Sequence, residues 1–204
     1  MAVFDAILLA AGESRRMGKS KQMLEVDGMP LLLRTVKVLR EAAVIRKLIV
    51  VLGANADQHL DALSQQEVHI VLNQRWQQGM GTSLHAGLEQ LSADDLPGGI
   101  LLSVCDQPLL SATVIRNLTR AMEPGKIAAA EYAPGVVGTP AAFSIYFLND
   151  LKSVPPEGGA RQLFSRFSSR LTTVPFPDGI LDLDTPEDYA QFRQKHGQRN
   201  TDKG

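Results

Sequence analysis

An α/β fold of three layers, with helices on both faces of a mostly parallel sheet, is what this sequence predicts, and three observations predict it. Short apolar runs alternate with segments of helical period. Several of those runs are apolar on both faces, as strands covered on both sides must be. At 204 residues the chain is long enough for one domain with a substantial core.

The elements follow in order. "FDAILLA", "KLIVVL", "HIVLN", "GILLSVCD", "IAAAEY" and "LTTVPF" read as strands. Between them, "LLLRTVKVLREAA", "TSLHAGLEQL", "SATVIRNLTRAM", "ARQLFSRF" and "PEDYAQFRQKHG" carry apolar residues at helical spacing. In the first helix Leu32, Val36 and Leu39 share the face that packs on the sheet. From "EPGK" to "VPPEGG" the chain is richer in Gly and Pro, and the expectation is a lobe over the sheet that leaves the regular alternation. No repeat or linker interrupts residues 1–196, read as one domain. The polar tail at 197–204 is expected to be disordered.

Composition excludes several classes. Twenty-one basic residues against 22 acidic ones leave a net charge of −1, so no global pull on nucleic acid or anionic lipid is expected. No apolar stretch reaches membrane-spanning length, and the N-terminus lacks a basic region before an apolar one. One cysteine excludes an internal disulfide and any multi-Cys zinc site. The four histidines show no ligand spacing, and the chain reads as cytoplasmic.

Against this neutral background Arg15, Arg16, Lys19 and Lys21 form a local cluster just after "LLAAG". In open α/β sheets ligands bind beyond the carboxyl ends of strands. Small residues there let backbone amides approach a ligand, and Gly12 can take a conformation closed to other residues. Ser14, Arg16 and Lys21 then supply donors for phosphate. Neither familiar phosphate loop fits: Glu13 stands where a P-loop needs Gly, and for a dinucleotide fingerprint only Gly12 and Gly18 are present, wrongly spaced. The plain alternative is a turn with a solvated basic face.

Two acidic stretches complete the picture. "GILLSVCDQPLL" ends an apolar strand on Asp106, where a carboxylate needs a cation or several donors. Opposite a triphosphate, Mg²⁺ is the natural cation; the alternative is an Asp that starts a turn. Cys105 is a packed residue, with no nearby His to activate it. In "ILDLDTPEDYAQF", Thr185, Pro186 and Asp188 are explained by helix capping. Asp182 and Asp184 are not. Only one of the two is expected to enter the site. Asp182 is paired with Asp106 as the metal-binding couple, and Asp184 lines the site or steadies the helix start.

"LAAGESRRMGKSKQML", "NQRWQQGMGTSLHAG", "VCDQPLL", "GTPAAFS" and "LDLDTPEDY", in that order, resemble the molybdenum cofactor nucleotidyltransferases, in particular the cytidylyltransferase branch. The resemblance covers nearly the whole chain. It implies a Rossmann-like, nucleotide-diphospho-sugar-transferase-like fold, and transfer of CMP from CTP to the terminal phosphate of molybdopterin with release of pyrophosphate. Carried over, Leu9, Ala10, Ala11 and Gly12 contact the nucleotide. Arg16 and Lys21 hold the triphosphate and act with Asp106 in catalysis. Asn73, Gly79 and Ser83 border base and ribose, while Asp106 and Asp182 hold magnesium. The lobe with Gly138, Thr139 and Pro140 faces the pterin, and a molybdenum hydroxylase would receive the product.

Ala11 stands where the guanylyl branch typically has Gly, and its methyl group narrows the pocket against a purine. Family members often carry Gly-Asp-x-Gly-Ala-Arg, whereas "PEGGAR" places Pro156 and Glu157 in the first two positions, which changes the acceptor end. Trp76 reads as packed beneath the nucleotide loop, Met80 as core filler or site residue alike, and His85 as structural. Rival readings are a guanylyltransferase, a sugar- or alditol-phosphate nucleotidyltransferase, and a non-catalytic carrier of the cofactor. A nicotinamide oxidoreductase is disfavoured by the missing fingerprint.

Overall fold

The computed structural model of the protein describes residues 3–196, so the tail expected to be disordered lies outside the described residues. Strand β1 (Phe4–Ala10) is buried along its whole length. Its alternate residues feed two cores: Ala6, Leu8 and Ala10 face one side, Ile7 and Leu9 the other. That is what a strand covered on both faces requires, and "FDAILLA" carries almost no polar group to obstruct it.

Strands β2 (Glu25–Val26) and β3 (Met29–Pro30) form a small hairpin. Helix α1 (Leu31–Glu41) follows and buries Leu32, Val36 and Leu39, as its spacing predicts. Then come β4 (Ile45–Leu52), helix α2 (Ala56–Leu63), β5 (His69–Leu72), helix α3 (Met80–Leu88) and β6 (Gly99–Val104). Helix α4 (Ala112–Ala121) starts on Ser111, whose hydroxyl accepts the Val114 N–H. The chain continues through β7 (Ile127–Ala133), β8 (Val136–Ser144), α5 (Leu148–Lys152), α6 (Arg161–Arg166), β9 (Leu171–Pro175) and α7 (Pro186–His196).

Seven strands form one sheet in the order β5-β4-β1-β6-β8-β7-β9. All neighbours are parallel except β8, which runs against both β6 and β7. From β1 the chain winds outward through β4 and β5, then returns across α3 to place β6 on the other side of β1. The order therefore reverses between β1 and β6. At such a switch point the connections leaving the adjacent carboxyl ends run apart, toward β4 and toward β7, and leave a crevice.

The expected lobe is not there. Residues 127–144 form the β7–β8 hairpin inside the sheet, and Ala128, Ala129, Ala141 and Ala142 are fully buried. The Gly and Pro content has another origin. Pro140 lies beyond the last β6–β8 pair, Leu102 with Ala141, and beside a register shift between Ala129 and Ala130, where a missing N–H costs the ladder nothing. Helices α2 and α5, short and weakly patterned, are further elements the sequence reading lacked.

Candidate active site

The crevice between β1 and β6 opens onto the cationic loop. Leu9, Ala10, Ala11, Gly12 and Lys21 line a cavity of about 260 Å³ with Gly79, Ser83, Asp106 and the half-buried Trp76. The loop's start is joined to the ends of the flanking strands by backbone bonds: Ala54 N–H, just past β4, donates to Ala11 O, and Cys105 N–H, just past β6, to Leu9 O. Gly12 does not use the conformational freedom expected of it. A side chain there would point into open space, and the left-handed turns belong to Ser14 (φ 60°) and Gly18 (φ 69°). At Gly53 the need for a bare backbone is real, because a Cβ would come within 2.7 Å of the Trp76 side chain.

All four loop cations have partners. Arg15 pairs with Glu13 at 2.6 Å, and Lys19 lies 5.4 Å from the centre of the Tyr189 ring. Arg16, largely exposed, reaches Asp184 at 2.6 Å. Lys21 is the most enclosed: its ammonium sits 2.9 Å from Asp106 and 3.1 Å from Asp184. Burial works to lower the Lys21 pKa, but the carboxylates of Asp106 and Asp184 outweigh it and hold the ammonium above its ordinary range.

The expectation that only one of Asp182 and Asp184 enters the site is corrected. In an extended segment residues two apart share a face, so Asp182 and Asp184 point the same way and Leu183 the other. Leu183 is buried completely and its N–H donates to Asp106 O, which sets both flanking aspartates against the same end of β6. Asp184 joins the Lys21 pair. Asp182 makes no ion pair among the described residues, and burial, then the charges of Asp106 and Asp184, push its pKa up to about 6. Three carboxylates against one enclosed lysine leave the cluster short of positive charge. Thr185 and Asp188 form the expected reciprocal cap, Asp188 Oδ2 accepting the Thr185 N–H and Thr185 Oγ1 the Asp188 N–H.

A second cavity, about 360 Å³, adjoins the first and shares Leu9, Met80, Val104 and Asp106 with it. Its other polar lining comes from Gln107, Tyr132, Thr139, Glu157, Arg161 and Asp182, and small residues including Gly138 complete the wall. The sequence motif "VCDQPLL" contains Gln107 but assigns it no role. Buried, Gln107 shares the two protons of Nε2 among the Tyr132 hydroxyl, Thr139 O and Gly179 O, fastening the end of β6 to the hairpin, and among the described residues its Oε1 has no partner. An amide directly after Asp106 was the available signal. The segment from Pro155 to Glu157 lies directly on the start of α3: Gly81 N–H donates to Pro156 O, and a Cβ on Gly81 would stand 2.1 Å from Pro155 O.

Two predicted residues stand behind the cavity rather than on it. Asn73 is buried, its amide donating to Thr82 and Ser83 hydroxyls and its carbonyl accepting Arg75 N–H, so it steadies α3. Ser14 donates to Gln22 and accepts Lys21 N–H. Met80 is half exposed at the junction of the cavities and is not core. Cys105 is packed, and burial, then the Asp106 charge, push its thiol up to about 12.

A switch-point crevice with a cationic loop on one strand end and carboxylates on the next is the layout of a nucleotide-handling transferase fold. The sequence profile described as the MobA-like NTP transferase domain matches residues 6–172, and the chain belongs to that family. Among curated relatives, a probable molybdenum cofactor guanylyltransferase of Opitutus terrae is 31% identical over 93% of this chain and 94% of its own. The molybdenum cofactor cytidylyltransferase of Escherichia coli is 25% identical over 96% and 98%. A nicotine blue oxidoreductase of Paenarthrobacter nicotinovorans is 33% identical over 62% of this chain. The match spans 61% of that relative's length. A solved nucleotidyl transferase from Methanothermobacter thermautotroptrophicus shares the fold with a TM-score of 0.82, at 23% identity, over 97% of this chain and 99% of that one. Among the described residues no helix is long and apolar enough to cross a membrane.

Proposed function

We propose that this protein joins CMP, taken from CTP, to the terminal phosphate of molybdopterin and releases pyrophosphate. The observation that carries the reading is the pair of cavities meeting at Asp106: one is framed by the β1 loop, the other by the hairpin and Asp182. A nucleotide in the first and a phosphorylated acceptor in the second would bring the α-phosphorus and the attacking oxygen together at that junction. An acceptor phosphate is already anionic, so no strong base is required. Its oxygen bonds to the α-phosphorus as the bond to the β-phosphate oxygen breaks. Catalysis then rests on alignment and on cations placed for the departing pyrophosphate. Lys21 and Arg16 fill that role by exchanging Asp106 and Asp184 for phosphate oxygens.

The donor set fits a magnesium ion. Asp106 and Asp182 offer hard oxygen ligands in a cluster deficient in positive charge. Among the described residues no group of three or more ligands forms a full protein cage, and Mg²⁺ characteristically takes one or two carboxylates and completes its shell with phosphate and water. Bound there, it would neutralise phosphate charge. Leu9, Ala10, Ala11, Gly79 and Ser83 would border the nucleotide, and Gly138, Thr139, Glu157 and Arg161 the pterin. A molybdenum hydroxylase would take the product.

Base choice rests on Ala11, which is buried in the wall of the first cavity and whose methyl group disfavours a purine. A GTP-using enzyme is the second reading, favoured by the name of the full-length Opitutus relative. Incubation with molybdopterin, Mg²⁺ and each nucleotide in turn, with the product identified by mass, tests both. A cytosine dinucleotide is expected. A guanine dinucleotide would replace the reading with its rival, and no product with any nucleotide would overturn both.

A further inference from the structure

Behind the nucleotide loop lies a chain of buried hydrogen bonds that the proposed reaction does not use. Gln22 is 1% exposed, and its amide nitrogen donates to Ala10 O at 3.0 Å and Gly12 O at 2.9 Å. The reverse orientation would set an amide oxygen against two carbonyl oxygens, so the direction is dictated. With both amide protons engaged, Gln22 Oε1 accepts, from Ser14 Oγ at 3.2 Å and from Ser20 Oγ at 2.9 Å. A serine hydroxyl has a single proton. The 2.7 Å contact between Ser20 Oγ and His59 Nε2 must therefore run from the ring, with His59 as the Nε2–H tautomer. Among the described residues His59 Nδ1 is buried without a partner, which suits a bare lone pair and would not suit a second N–H.

From these contacts we infer that His59, Ser20 and Gln22 are positioning residues: a one-way relay of hydrogen bonds from α2 to the end of β1 that sets the shape of residues 11–21 before a nucleotide arrives. His59 is fully buried on α2, which is itself anchored in the core through Leu63. The relay's far end holds the two carbonyls that flank Ala11. Ser14, whose backbone is left-handed, is gathered into the same network and accepts the Lys21 N–H, so the loop's turn and the lysine's backbone are set together. Every donor of this network is engaged within the protein, so none is left for a phosphate. Their effect on phosphate passes through Lys21 and the loop amides.

This inference rests on the reading of that loop as a nucleotide cradle, and the test separates the two. Amide hydrogen exchange across residues 11–21 of the nucleotide-free full chain reports loop order. The affinities for Mg²⁺-CTP and Mg²⁺-GTP report the cradle, with kcat at saturation measured alongside. In His59→Leu, which keeps volume and loses the donor, exchange in that segment should quicken and the Kd of the preferred nucleotide should rise by about tenfold, with kcat within about twofold. His59→Gln, whose amide N–H lies near the Nε2 position, should restore both. Ser20→Ala breaks the same link without disturbing the α2 core and should copy His59→Leu, which guards against a misfolded variant. Unchanged exchange and affinity in Ser20→Ala, or equal damage from His59→Leu and His59→Gln, would overturn the relay. Quickened exchange in a protein that binds neither nucleotide would support the relay and overturn the cradle.

Discussion

On the β1-loop side of the crevice the loop is tied by Gln22 to two backbone carbonyls, and Lys21 is held between two carboxylates. On the hairpin side, among the described residues, Asp182 has no cation of its own and Gln107 Oε1 has no partner, in a wall built from Gly138, Gly158, Gly159 and Ala160. The first region is organised before any ligand binds. Polar groups on the second are short of partners, and small residues leave room for a bulky molecule to supply them. A pocket that must place a phosphorus atom for in-line attack benefits from rigidity. One that must recognise a large acceptor keeps unsatisfied groups for it. The side chains of the two regions should therefore fail in different ways.

Asp106, shared by both cavities, should produce the largest failure. Asp106→Ala is expected to lower kcat by roughly 10³-fold or more while the protein stays folded, because this partly exposed side chain contributes little to the core. Near-normal pyrophosphate release from that variant would remove the junction from the mechanism. Lys21→Ala comes next, with kcat down by about 10²-fold under saturating Mg²⁺. If steady-state kinetics with Lys21→Ala matched wild type, the leaving-group role would be wrong.

Smaller changes should split the two sides. A Cβ at Gly138 would stand 2.4 Å from the Tyr132 hydroxyl. Gly138→Ala should therefore cost about 1–3 kcal/mol of stability in denaturant titrations and raise the acceptor KM, with the nucleotide KM unmoved. Equal rises in both would erase the division. Ala11→Gly should shift the ratio of kcat/KM values toward GTP by about tenfold, and leave the acceptor KM alone. The mildest effect concerns pH. Burial lowers the pKa of His59 in the fold, so below the ordinary imidazole value the unfolded chain binds the proton more readily. Stability from this group is complete above about pH 6.5 and declines as pH falls toward the folded pKa. His59→Gln should flatten that part of a Tm-against-pH curve; an unchanged slope would place the dependence elsewhere.

Much of the fold was legible because its cause is local. The apolar runs around Leu8, Val50 and Leu101 carry too few polar groups to face water on either side, and the Leu32–Val36–Leu39 stripe has one possible use. Thr185 and Asp188 announce their cap through spacing alone. The β7–β8 hairpin was hidden because Gly and Pro usually signal irregular chain, whereas here Pro140 stands at a break in the ladder that only the neighbouring strands create. Helix α2 was missed for a similar reason: its buried polar member, His59, makes sense only when Ser20 is brought to it from the other side of β4.

The sequence by itself determined the alternation that forces a sheet between two helix layers, the strand end that delivers Asp106, and the clustering of four cations after β1, since these depend on residues close together in the chain. Only the tertiary structure decided which charges meet. Arg16 and Lys21 stand against Asp184 because Leu183 is drawn into the core and its N–H is met by Asp106 O, and Gln22 faces Ala10 and Gly12 because the loop folds back on its own strand. Electrostatic and hydrogen-bond energies depend on distances across space, and contacts such as Lys21 with Asp184, 163 positions apart, leave no periodicity in the sequence to read.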